Sequence, residues 1–150
     1  MRPSESLITP SGVRSFADST IAFYDAKYHY QLWRPITAIR EANTAGNPAI
    51  VGDPTWTPLV VTALDPAYPA AHAVISADAA TVLAAFFGNK DQIRATSDVL
   101  PGVVASYTSY SDIATEAGLS RIYAGQHTRI EIEVGVDLGH NVAQFVLQRI

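Results

Sequence analysis

Residues 70–87 read AAHAVISADAATVLAAFF, an alanine-rich run that stops at Gly88-Asn89. Alanine has no side-chain rotamers to lose on entering a helix, and glycine just past the last apolar residue is a common helix stop. The run is apolar nearly all round, so it predicts a helix at the centre of a bundle rather than on its surface. Few stretches of the chain carry a strand signal, and no internal repeat or low-complexity tract is present. The expected fold is all-α, a helical bundle.

Before this run, residues 43–69 read as loop, with five prolines (48, 54, 58, 66 and 69) making a stiff, extended excursion. Earlier still, Ser11-Gly12 offers a helix start and 13–33 contains no proline, so a long helix is expected there. Pro35 then opens a helical segment over 36–42 or kinks one longer helix. After the run come a short segment over 91–97, a turn at Pro101-Gly102, a helix over 109–119 and a turn around Gly125. A last helix is expected over 127–148, where Ile130, Val134, Leu138, Val142 and Val146 recur at helical spacing. Residues 1–11 read as an N-terminal linker and 12–150 as a single helical domain.

A chain of 150 residues suits one domain with one hydrophobic core. Hydrophobic residues make up 48% and charged residues 16%, which argues against disorder and for packing against a second subunit or an additional helical segment. A net charge of −4 offers no electrostatic case for nucleic acid. No apolar run is long enough to span a membrane, and the first twelve residues lack a signal-peptide core, so a soluble protein is expected with its location left open. With no cysteine there is neither a disulfide framework nor a thiolate metal site.

The charged residues concentrate in three places. Lys27 and Arg34 lie in YDAKYHYQLWRP, and a separation of seven residues puts both on one face of a helix. Two cations side by side need an anion between them, either a ligand or a carboxylate such as Asp25. In SRIYAGQHTRIE, Arg121 precedes a glycine turn, His127 starts a helix and Glu131 follows one turn later. That spacing lets a carboxylate orient the imidazole, or leaves an ordinary exposed helix pair. His72, beside Ala70 and Ala71, is either a packed core histidine or a reactive group in the first turn of the alanine-rich helix. His72, His127 and Glu131 also offer metal-ligand chemistry, which the neighbouring cations oppose. His29 and His140 are weaker candidates.

Lys27–Pro35 (K-x6-R-P), Tyr68–His72 (YPAAH) and Ser120–His127 (S-R-x5-H), in that order, resemble the three-part signature of the vanadium-dependent haloperoxidase and type 2 phosphatidic acid phosphatase superfamily. LWRPITAIREAN, DPTWTPL and EAGLSRIYAGQH look more like its haloperoxidase-related branch. The resemblance implies a helical bundle of that fold, of which this chain would hold the site-bearing half, in a family whose members are often exported.

It also implies an oxyanion cofactor, vanadate, with phosphate able to stand in its place. Lys27, Arg34 and Arg121 would hold its oxygens, together with the backbone N–H of Ala71. His127 would be the axial vanadate ligand, or the nucleophile in a phosphatase, oriented by Glu131. His72 would be the acid–base group. The substrates implied are peroxide and halide, or a phosphoester. Where the family pattern reads Pro-Ser-Gly-His, this chain has Pro69-Ala70-Ala71-His72, so a serine hydroxyl is missing at Ala70. The loss of one hydrogen bond to a charged group weakens such a site by about 1.5–3 kcal/mol without abolishing it.

Overall fold

The computed structural model of the chain describes residues 5–149. Its elements run α1 (Glu5–Tyr30), α2 (Pro35–Arg40), a 3-10 turn (Ala42–Ala45), α3 (Ala71–Phe87), β1 (Lys90–Ser97), β2 (Leu100–Ser109), α4 (Tyr110–Tyr123) and α5 (Arg129–Leu147). The alanine-rich run is the central helix: α3 packs against α1, α4 and α5.

Alanine and glycine make that centrality physically workable, because small side chains let helix axes approach closely. Ala70, Ala73, Val74 and Ala77 are fully buried. Opposite them, α5 presents Gly135 and Gly139; a Cβ at Gly135 would stand 2.9 Å from the carbonyl oxygen of Ala70. From α1, the Ser15 hydroxyl hydrogen-bonds the Asp78 carboxyl of α3, with both groups buried. The other side of α1 leaves Val13, Phe16, Ile21, Tyr24 and Tyr28 exposed in a stripe at helical spacing. No helix among the described residues is long and apolar enough to cross a membrane.

Two expectations need correction. Residues 5–11 are helical rather than linker, with Pro10 inside α1; residues 1–4 of that expected linker lie outside the described residues. Pro10 lies past the first turn, where a proline removes one backbone bond and crowds the carbonyl four residues back, yet the helix continues through it. The bundle also carries an antiparallel hairpin, β1–β2, where only a short segment and a turn were expected. Its register pairs Ile93 with Tyr107 and Ala95 with Ala105. The Pro101-Gly102 turn signal is real but falls inside β2, where Gly102 has φ +83° and the pairing is irregular. The β-branched pair Val103-Val104 lets the strand continue past it.

The proline-rich segment between α2 and α3 is pinned rather than loose. Arg40 Nε donates to the Trp56 carbonyl at 2.9 Å. Buried Gln126 holds it from the far side, accepting from the Ala63 N–H at 3.3 Å and donating to the Val60 carbonyl at 3.1 Å. Gly125, at φ +73°, lets the α4–α5 turn pass beneath it, since a Cβ there would meet Trp56 and Pro58 at 2.9 Å.

Candidate active site

At the C-terminal end of α1, Lys27 is completely buried. Its ammonium donates to the Pro66 carbonyl and pairs with Asp65 Oδ2 at 3.0 Å. Burial holds the Lys27 pKa below its usual value; Asp65 opposes that shift and the neighbouring Arg34 adds to it.

Lys27 and Arg34 do not share a helix face. Gln31 takes a left-handed conformation (φ 49°), α1 ends at Tyr30, and the chain runs extended to Arg34, which stands at the N-cap of α2. The two cations meet through space, across the carboxylate of Asp65. Arg34 Nη2 donates to Asp65 Oδ1 at 2.8 Å and Nε to the Asp65 carbonyl at 2.9 Å. Of the anions expected between the two cations, a ligand or a carboxylate such as Asp25, the structure supplies the carboxylate of Asp65, while Asp25 lies exposed on α1.

The remaining edge of Arg34 reaches the other motif. Its Nη1 donates to the Gln126 carbonyl at 3.2 Å and lies 2.9 Å from His127 Nε2. A guanidinium can only donate, so Nε2 must be the acceptor and the imidazole proton sits on Nδ1. Nδ1 lies 2.7 Å from Glu131 Oε2 and donates to it. Glu131 is itself held as the third residue of α5, accepting from the Thr128 N–H at 3.2 Å and the Thr128 hydroxyl at 2.8 Å. This capping box gives the longer glutamate a fixed conformation. His127 precedes α5 rather than starting it, with Thr128 as the N-cap.

His72 is the second residue of α3 and the most solvent-exposed member of the group. Partial desolvation, then the charges of Arg121, His127, Arg34 and Lys27, hold its pKa below the ordinary imidazole value. Arg121, in the last turn of α4, has a buried Nε with no partner among the described residues. Ala71 opens α3, whose N-terminus has no side-chain cap, leaving first-turn N–H groups for an anion. Ala70 is fully buried, its N–H donated to the Glu131 carbonyl at 3.0 Å, which ties the α3 start to α5. The structure thus joins Arg34, His127 and Glu131 by direct contact, brings Lys27 to Arg34 through Asp65, and sets His72 within electrostatic reach of Arg121, His127, Arg34 and Lys27. His29 and His140 lie exposed at the surface. No group of three or more histidine or acidic side chains forms a metal-ligand set among the described residues.

Sequence reasoning missed Asp65 and Gln126. The only local hint for Asp65 was its place in the Asp-Pro pair ahead of YPAAH; Gln126 carried none.

Residues 13–150 match the family of the VCPO second helical-bundle domain. The chain belongs to that family. This VCPO-type domain is similar to the crystal structure of the first bacterial vanadium-dependent iodoperoxidase, with 32% identity and a TM-score of 0.84 over 96% of the chain. It is also similar in fold to holo- and apo-type bacterial vanadium-dependent chloroperoxidase structures, each at 18% identity, a TM-score of 0.72 and 93% coverage. The domain spans about a third of the length of these relatives, covering 33%, 35% and 36% of their chains. No curated protein matches it.

The electrostatics around His127 give a pH prediction. Burial holds the His127 pKa below the ordinary imidazole value; the hydrogen bond with Glu131 opposes that shift, and the charges of Arg34 and Lys27 add to it. A depressed folded-state pKa stabilises the fold above the ordinary imidazole range, and that contribution is lost as pH falls through the depressed value. Asp78 runs the other way, because burial raises its carboxyl pKa. Urea midpoints measured from pH 7.5 downward should therefore fall less steeply in His127→Gln than in the wild type. Parallel curves would contradict the assignment of a buried neutral imidazole.

Proposed function

We propose that this domain supplies the oxyanion-holding residues of a vanadium-dependent haloperoxidase. The observation that carries the reading is the relay Glu131–His127–Arg34, which leaves a neutral imidazole with its Nε2 lone pair among buried cations. The donor set also fits the group: Arg121 Nε is buried without a partner and α3 begins uncapped. Lys27, Arg34, Arg121 and the Ala71 N–H would hold oxygens, and His127 Nε2 would bind the central atom.

Bound vanadate would activate hydrogen peroxide toward two-electron oxidation of halide, with uptake of one proton to give hypohalous acid and water. His72 would move that proton at its ring nitrogen, since burial and the neighbouring cations hold its pKa below the ordinary imidazole value and leave the ring neutral, with a lone pair to accept one. Glu131 fixes the tautomer of His127, and the capping box fixes Glu131. The exposed α1 stripe supports packing against an additional helical segment or a second copy.

The test is bromide and iodide oxidation by the vanadate-loaded protein with peroxide, run beside turnover of p-nitrophenyl phosphate. Halide oxidation is expected. Phosphoester turnover alone would make it a phosphomonoester hydrolase acting through His127, and tight oxyanion binding with neither activity would make it a binding domain.

A further inference from the structure

Asp65 occupies the donors that an incoming anion would need. Its carboxylate bridges Lys27 Nζ at 3.0 Å and Arg34 Nη2 at 2.8 Å, and the Arg34 Nη1 beside it rests 2.9 Å from the His127 lone pair. Two adjacent cations with side-chain exposures of only 0% and 9% require a compensating negative charge. Asp65 is placed to supply it reversibly. Its side chain is 24% exposed, on the loop ahead of α3. With Arg34, it borders a surface depression of about 350 Å³ whose lining also includes Leu32, Trp33, Thr62 and Leu64. A carboxylate with that outlet can turn toward solvent without opening the core.

We propose that Asp65 is the internal counter-ion of this site and competes with the oxyanion for Lys27 and Arg34. Binding is then an exchange: the anion takes the two cations, Asp65 turns toward solvent, and Arg34 releases the His127 lone pair. The proposal rests on the oxyanion reading of the site. Removing the charge of Asp65 should tighten anion binding, whereas a residue that merely scaffolds Lys27 and Arg34 would weaken it when replaced.

The experiment titrates wild type, Asp65→Asn and Asp65→Glu with inorganic vanadate and, in parallel, inorganic phosphate, reading affinity and thermal midpoint. Asp65→Asn should bind roughly tenfold to a hundredfold more tightly, the scale of a charge-assisted hydrogen bond gained by the ligand. It should also melt lower than wild type without anion, with phosphate raising its midpoint by the larger amount. Asp65→Glu should stay near wild type. A second measurement needs no variant: the Asp65 carboxyl carbon resonance of labelled wild type should move on saturation with phosphate. Unchanged or weaker binding in Asp65→Asn, or an unmoved resonance in wild type that does bind, overturns the counter-ion role and leaves the oxyanion reading standing. If neither wild type nor Asp65→Asn binds either anion, the oxyanion reading itself fails.

Discussion

His127→Ala is expected to remove halide oxidation by the vanadate-loaded protein, by at least about a thousandfold, because no other neutral imidazole lone pair lies among the buried cations. His72 cannot take over: it stands at the exposed start of α3, and the structure gives it neither an Arg34 contact nor a carboxylate partner. The companion variant Glu131→Gln separates orientation from bonding. An amide keeps the capping geometry within reach but removes the negative charge that supports Nδ1–H, and loss of such a partner typically costs 10–100-fold, roughly the drop expected here. A His127→Ala protein that keeps wild-type turnover would remove His127 from the reaction. Equal losses in both variants would mean that the carboxylate charge, rather than the lone pair it positions, dominates. Each variant needs a circular dichroism control, since the relay also caps α5.

The largest structural effect is expected at Gly139. A Cβ there would lie 2.2 Å from the carbonyl oxygen of Val74 and 3.0 Å from the backbone N of Asp78. Both are backbone atoms of the central helix and cannot rotate aside, so α5 must move off α3 as a body. Even Gly139→Ala should cost about 3 kcal/mol, the upper part of the overpacking range, and Gly139→Leu should prevent a cooperative fold. Gly12 in α1 is the natural control, with nothing within 4 Å of its added Cβ. There Gly→Ala should stabilise by about 0.5–1 kcal/mol through helix propensity alone. Urea midpoints decide it: a Gly139→Ala midpoint at or above wild type would mean that the α3–α5 approach is looser than described.

The two predictions bear on one another. The Ala70 N–H is bonded to the Glu131 carbonyl, and a Cβ at Gly135 would press on the Ala70 carbonyl. The close α3–α5 approach therefore sets where His72 and the His127–Glu131 pair stand relative to each other. A substitution at Gly139 that spared the fold would still be expected to disturb the site.

Much of this was legible in the chain. Alanine density over 70–87 marked the central helix, and the spacing of Ile130, Val134, Leu138, Val142 and Val146 marked α5 as a helix but not its buried face, which carries Ile132, Gly135, Gly139, Ala143 and Val146 while Ile130 is exposed. Local propensity and periodicity suffice for elements that carry their own signal over several turns. The hairpin was missed because its turn signal, Pro101-Gly102, sits within β2, so its strands show only as scattered β-branched residues. The early start of α1 was missed because Ser11-Gly12 offers a local start signal, although the helix already runs through it from Glu5.

By itself the sequence determined which residue types exist and in what order: Lys27, Arg34, His72, Arg121, His127 and Glu131, in motifs specific enough to resemble one superfamily. It also offered one short-range pair in the site, His127 with Glu131, as one of two readings; the contact forms because the capping box at Thr128 turns the Glu131 carboxylate back toward the residue ahead of the helix. Only the tertiary structure decided how the cations are neutralised. Arg34 meets Asp65 across 31 residues and His127 across 93, and the end of α1 at Tyr30, followed by left-handed Gln31, removes the helical geometry that would have paired Lys27 with Arg34 directly. Contacts of that separation leave no periodic trace in a chain. Their partners are chosen by where packed helices bring a loop, and by the cost of burying a charge with nothing opposite it.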